Sequence, residues 1–513
     1  MRSVLAGVLF VGMMTWTAWL LLASVWAEAE NRNETIVETV TWYGKTVITE
    51  GPAFQGPWRM NDSQFYFVDD PSVDVDEDGS VALVWVDQSD KNIFFTWHDE
   101  DGGIDTEDAV NVSSSPDIFS WLPRVVISPV NRDHIFVLWQ EIIFSGGSHG
   151  GEILFARSTD RGRSFSEPVN LSNTPAGAGK GRLTFLRWDN GSLDLAVGPD
   201  GKIYAAWTEY EGALRISLST DDGLSFSNPM TVAGDDEAPA RGPSLAVDSE
   251  GFIHLAWTVG EDKAGDIYYT RSTDDGQSAS SLRFEEPQVV VETDGHSDAP
   301  KIAVDSNCTL HMVHAESPDG LFQRYHIYYS QFVFGGSRNS DDSLQHGMQR
   351  NDDDSQQDNL QRNSGDITEK PQDRLTASGR GTEFVRDSEL VHISKPVRIS
   401  EPHPGRFESA NFPELALDDA DQIYVIWELF SDYRNRSQGL GFTTSLDKGL
   451  TFSNPSQIPG TGDPDEGHNG SRQGLLMNKL AVSSSGDISV VNSTFLEGES
   501  STIRLIRGYA KAD

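Results

Sequence analysis

Arg187, Arg241 and Arg406 lie on the approach to three copies of a recurring apolar phrase, and Arg124 follows the proline that opens another. Asp87, Glu141, Glu209, Glu316 and Glu428 close the second half of five copies, one or two places after Trp85, Trp139, Trp207, His314 and Trp427. Guanidinium groups gathered with carboxyls do one kind of chemistry well: a forked Arg clamp holds an anion while a neighbouring carboxyl moves a proton. A carboxylated sugar asks for both. A further series, just after the proline or its equivalent, reads Ser72, Arg124, Asp194, Ser244, Lys301, Glu414 and Lys479. The candidate ligand-binding residues are therefore Arg124, Arg187, Arg241, Asp194, Lys301 and Glu414, with Glu209 as candidate acid/base. The competing account is that such charges pair with one another or face water, and that the repeated Trp packs in the core rather than serving as a sugar platform.

Seven copies of the phrase supply these positions. They begin at Pro71 ("PSVDVDEDGSVALVWVD"), Pro123, Leu193, Pro243 ("PSLAVDSEGFIHLAWT"), Pro300, Pro413 and Asn478. Each has two runs rich in Val, Ile, Leu and aromatics joined by an Asp/Gly/Ser turn, the pattern of an antiparallel hairpin. A third run, a turn and a fourth run follow. Four short strands repeated many times predict an all-β, seven-bladed β-propeller of four-stranded antiparallel blades, with six blades as the alternative. Each small sheet has two apolar faces that only its neighbours can cover. The seventh unit ends after "STIRLIRGYA", and "YGKTVITEG" (Tyr43 to Gly51) is expected to supply its outer strand and clasp the ring.

The 513 residues carry 39 basic and 79 acidic side chains, a formal charge of -40, which disfavours nucleic acid and anionic membrane surfaces as partners. Residues 1–30 stand apart: Arg2, an uncharged run from Val4 to Ala27, then Glu28 and Glu30. That order is expected of a secretory signal, and the run is long enough to serve as a single membrane anchor instead. Either way the remainder is expected to be extracytoplasmic, secreted or membrane-anchored. Cys308 is the one cysteine, so no intrachain disulfide can form. The propeller is expected over 31–334 and 388–513. Residues 335–387, rich in Ser, Asp, Asn, Gln and Arg, are expected to be a disordered insertion within the fifth blade.

A second phrase follows the third run: "STDRGRSF", "STDDGLSF", "STDDGQSA" and "SLDKGLTF". Its Ser and Asp can bond the backbone of a tight turn, and its Gly supplies positive φ. Ser158, Asp160, Gly162 and Phe165 form one copy; Ser219, Asp221, Gly223 and Phe226 another; Ser445, Asp447, Gly449 and Phe452 a third. Ser272, Asp274 and Gly276 form a fourth, with Ala279 replacing the aromatic. The phrase resembles the Asp-box, or BNR repeat, of the sialidase-like propellers. The resemblance implies structural joints on the face opposite an axial pocket, and a glycan or glycoconjugate as ligand. A sialidase would also carry an Arg-Ile-Pro motif and a Tyr nucleophile. Here Arg124 is followed by Val125 and Val126, and no tyrosine of the last blades stands out. A catalytic glycosidase acting on acidic sugars and a non-catalytic interaction scaffold both stay open.

No cofactor is expected. "DVDEDGS" (Asp74 to Ser80) begins like an EF-hand calcium loop, but the twelfth position is Trp85, which cannot chelate. A weak surface calcium is the alternative. The histidines show no H-E-x-x-H spacing, so no metal site is expected.

Overall fold

The computed structural model describes residues 40–99, 109–115, 117–142, 151–184, 187–190, 192–260, 264–274, 282–334, 390–392, 395–470 and 478–510. The N-terminal apolar run and the 335–387 insertion fall outside them. Among the described residues no helix is long and apolar enough to cross a membrane.

Seven antiparallel sheets follow one another along the chain. Blade 1 is built from Val68–Val75, Val81–Asp87, Asn92–His98 and Val110–Asn111. Blade 2 is Ser120–Ile127, Ile135–Glu141, Glu152–Ser158 and Val169–Asn170. Blade 3 is Leu193–Val197, Ile203–Thr208, Leu214–Ser219 and Met230–Ala233, and blade 4 is Ala240–Val247, Ile253–Val259, Asp266–Arg271 and Gln288–Val291. Blade 5 comprises His296–Val304, Leu310–Ser317, His326–Phe334 and Val397–Arg398. Blade 6 is Ser409–Leu417, Ile423–Phe430, Leu440–Ser445 and Ser456–Gln457. The chain divides into two units, 1–332 with 392–513 and 333–391, and of the second only 333–334 and 390–391 are described.

Blade 7 is made from both ends of the chain, as expected. Leu480–Val482 and His468–Asn469 pair with Asp487–Leu496, which pairs with Ser500–Ala510. Val40–Gly51 then runs antiparallel to that strand, from Val40 opposite Ala510 to Gly51 opposite Ser501. Ile48 of the closing strand is fully buried.

The second strands are the most apolar and the most deeply buried, because strands of their own sheet flank both edges and neighbouring blades cover both faces. Their aromatics pack rather than face solvent: Trp85, Trp139, Trp207, Trp257 and Trp427 are all at most 3% exposed. Trp85 stacks on Phe94 directly across the ladder, Trp257 on Tyr268, and His314 on Tyr328.

The S-x-D-x-G turns close on themselves. Gly223 N–H donates to Ser219 Oγ at 2.9 Å, that hydroxyl donates to Asp221 Oδ1 at 2.9 Å, and Ser225 N–H donates to the same oxygen at 2.9 Å. Ser158 with Asp160, and Ser445 with Asp447, repeat the pattern. In the fourth copy Ser272 Oγ instead donates to the Asp274 carbonyl. The aromatic of the phrase reaches across to the preceding blade. Phe165 meets Phe95 edge-on at 5.2 Å, Phe226 meets Phe155 at 4.7 Å, and Phe452 meets Tyr329 at 4.7 Å. The turn glycines sit over the same rings, with φ of 77° at Gly223 and no room for a Cβ. Each of these three turns thus clamps an aromatic of the neighbouring third strand. Trp42 of the closing strand does the same to Phe442 of blade 6, edge-on at 5.2 Å.

Candidate functional site on the axis

The innermost strands of blades 1, 2, 4, 5 and 6 share a bulge at their X-Pro step. Pairing slips between Asp69 and Ser72, Trp121 and Arg124, Arg241 and Ser244, Asp298 and Lys301, and Asn411 and Glu414. Proline has no N–H for the ladder, and a bulge takes up the residue that cannot pair. The residue before it (Asp70, Leu122, Gly242, Ala299 or Phe412) has φ between 50° and 58°. That region is uncommon for non-glycine residues, so the surrounding sheets must hold it. The bulge fixes where the residue after proline points.

Three of the seven positions in that series are joints between blades. Ser72 Oγ accepts from Val125 N–H at 3.3 Å, Asp194 Oδ2 from Leu245 N–H at 2.9 Å, and Ser244 Oγ from Ile302 N–H at 3.1 Å. Each donor lies on the innermost strand of the next blade, whose inner edge has no ladder partner. A side-chain oxygen from the neighbour satisfies it.

The charged positions converge. Arg124, 1% exposed, has Nε 3.9 Å from Asp194 Oδ1 and donates through Nη1 to the Pro123 carbonyl at 3.3 Å. Lys301 Nζ lies 3.4 Å from Glu414 Oε1 and donates to Asn478 Oδ1 at 3.2 Å. Lys479 Nζ is bonded to Glu428, which also accepts from Asn469. Burial pushes the Glu414 carboxyl up to about 7, against the pull of Lys301 and Arg124 and with the push of Asp194. Blades 2, 3, 5 and 6 therefore meet at one electrostatic network on the axis. Burial and the adjacent Asp69 also raise the Asp70 carboxyl well above the usual range, with Lys479 and the Leu122 N–H opposing. Neither Asp70 oxygen has a hydrogen bond of ordinary geometry among the described residues.

Arg124, Asp194, Lys301 and Glu414 are thus brought together, while the other candidates are not part of that network. Arg241, 2% exposed, donates to the Gly260 carbonyl and to His296 Nε2 at 3.0 Å, and its Nε lies 3.4 Å from Asp298 Oδ1. Burial would raise Asp298, but Arg241 and His296 outweigh it and hold that carboxyl far below its ordinary range. Glu209 accepts from Arg215 Nη2 at 3.1 Å within blade 3. Arg187 begins the strand Arg187–Asn190, paired with Lys180–Thr184; its side chain is outside the described set. The acidic loop after Asp74 is an ordinary turn, with Asp76 and Asp78 both paired to Arg132 of blade 2.

An aromatic group was not anticipated. Phe54–Gln55 and Phe65–Tyr66 form a small hairpin between the closing strand and blade 1. Within it Trp58 lies flat on Trp121, ring centres 5.3 Å apart and planes 4° from parallel, and is 44% exposed. Phe54 and Tyr66, stacked at 5.9 Å, are also open to solvent. Trp121 stands three residues before Arg124, across the bulge at Leu122. Nothing local in the sequence pairs Trp58 with Trp121.

No family model matches the chain, and no curated protein matches it. Among solved structures it is similar to the polysaccharide lyase Uly1, at 10% identity over 92% of this chain and 100% of that one, with a TM-score of 0.46. It is similar to the α-L-arabinanase of Penicillium chrysogenum complexed with arabinobiose, at 14% identity over 75% and 92% of the two chains, TM-score 0.42. A Hadza microbial sialidase aligns at 13% identity over 75% of this chain and 66% of its own, TM-score 0.40.

Proposed function

We propose that the protein is an exported Asp-box propeller that takes a glycan at its axial face, and that Glu414 is the group that moves a proton there. The convergence of Arg124, Asp194, Lys301 and Glu414 from four blades carries this reading. A carboxyl that titrates near neutrality can both donate and accept a proton in that range, which suits general acid or base work. The cations beside it favour a sugar bearing a carboxylate. The open face of Trp58 offers the flat apolar surface that a sugar ring stacks on. The finer reading is a sialidase-like hydrolase of acidic sugars, with residues 4–27 as its signal peptide or membrane anchor.

A second reading, a non-catalytic scaffold presenting loops to another protein, is favoured by one observation. Arg124, Asp194, Glu414 and Lys479 are at most 8% exposed and have acidic or basic partners of their own. Buried ion pairs of that kind can serve register rather than chemistry.

Glycan-array binding and fluorogenic-sialoside hydrolysis by the full chain, beside Trp58→Ala and Glu414→Gln, separate the two. Binding lost in Trp58→Ala, with turnover lost in Glu414→Gln, supports a hydrolase. Binding without turnover leaves a lectin-like propeller. If the array gives no binding at all, the glycan reading fails and the scaffold stands.

A further inference from the structure

His326 opens the third strand of blade 5, and Glu401 and His403 lie on the segment that leads from Val397–Arg398 to blade 6. Their donor atoms all fall within 4.8 Å of one another. His326 Nδ1 is 3.3 Å from Glu401 Oε1, and His403 Nε2 is 3.3 Å from the same oxygen. The two imidazole rings stack, centres 5.2 Å apart and planes 16° from parallel.

These distances do not describe hydrogen bonds. His326 Nδ1 and both nitrogens of His403 are buried and have no hydrogen bond of proper geometry among the described residues. A buried ring nitrogen without a partner costs free energy, so such atoms normally find one. Their spacing fits a shared ion instead. Bonds of about 2.0–2.2 Å at tetrahedral angles place neighbouring donors roughly 3.3–3.5 Å apart. Two imidazoles and one carboxylate form a mixed nitrogen and oxygen set that suits zinc, with a fourth position for water. The imidazole side chains are 10% and 9% exposed and Glu401 36%, which leaves the solvent side at the carboxylate.

We propose that His326, Glu401 and His403 form a zinc site. It clasps the strand that precedes the 335–387 segment to the segment that follows it, beside the outer pairing of Tyr328 with Arg398 and Tyr329 with Val397. One group competes: Arg398, itself 39% exposed, pairs with Glu401 Oε1. The ion must displace that guanidinium into solvent, so Arg398 sets the affinity rather than forbidding binding.

The test uses the untagged full chain, stripped with chelator and titrated with zinc chloride against a chromophoric zinc chelator, with thermal unfolding as a second readout. One tight site per chain is expected, with a higher Tm in zinc that chelator reverses. His403→Ala should weaken binding at least about tenfold and abolish the Tm rise, and Arg398→Gln should tighten it. No tight site in the wild type, or equal binding by His403→Ala, overturns the proposal. Should His403→Ala fail to fold, cobalt(II) added to the stripped wild type decides. An intense four-coordinate visible band supports the site, and the spectrum of hexaaqua cobalt alone overturns it.

Discussion

Lys301 of blade 5 and Glu414 of blade 6 face each other on the axis, Nζ to Oε1 at 3.4 Å, and both stand just after the proline of a bulged innermost strand. The pair is less sealed than Arg124 beside it, with side chains 15% and 11% exposed. It is therefore the part of the network most open to solvent.

That pair gives the protein a pH signature. Burial raises Glu414 in the folded state from its ordinary value to about 7. A raised carboxyl stabilises the fold fully below its unfolded pKa, roughly 4.3, and that contribution is lost as pH rises through 7. Burial gives Asp74, raised to about 6, the same sign over a narrower window. Glu414→Gln cannot ionise, so its Tm should gain on that of the wild type between pH 5 and pH 8. Parallel Tm curves for the two proteins would show that Glu414 is ionised throughout.

Lys479 and Glu428 form a deeply buried ion pair, with side chains 4% and 1% exposed. Lys479→Ala leaves the Glu428 charge buried with Asn469 as its remaining polar contact, and should cost about 3–5 kcal/mol in denaturant unfolding. The double change Lys479→Met with Glu428→Leu removes both charges and should recover most of that loss. A single variant that unfolds at the wild-type midpoint would mean the pair is solvated in solution.

The turn glycines differ in what surrounds them. A Cβ on Gly223 would lie 2.8 Å from the Phe155 ring of the preceding blade, whereas one on Gly498, with similar φ, meets nothing within 4 Å. Gly498→Ala should cost only the left-handed backbone penalty, about 1–2 kcal/mol. Gly223→Ala should cost clearly more, because Phe155 must move as well. Equal urea midpoints would show that the blade interface is loose there.

Closure depends on Val40–Gly51. Ile48→Asp buries a charge in the last blade and should cost more than about 3 kcal/mol, while Ile48→Val should cost about 1 kcal/mol. Removal of residues 1–51 should leave Ser500–Ala510 with an open edge and yield a chain that self-associates in size-exclusion chromatography. A monomeric, cooperatively melting truncation would show that blade 7 closes without that strand.

The seven hairpin phrases, the four-strand repeat and the closing strand were legible in the sequence, because alternation of apolar residues, turn glycines and X-Pro steps act within a few residues of one another. So was the series from Ser72 to Lys479, since equivalent positions of a repeat must lie at equivalent places in a ring. What those positions do was decided only by the tertiary structure. Ser72 and Ser244 look like ligand groups until the unpaired inner edge of the next blade claims them, and Asp194 divides its two oxygens between that edge and Arg124. Arg124 and Arg241 look like one clamp until each is found beside its own acid. Trp58 against Trp121, and His326 against Glu401 and His403, join segments that share no local pattern. The sequence alone determined the strands and their order, because these follow from short-range patterning. The tertiary structure alone decided pairing across the axis and between neighbouring segments, because burial and electrostatics depend on which distant side chains the closed ring brings within a few ångströms.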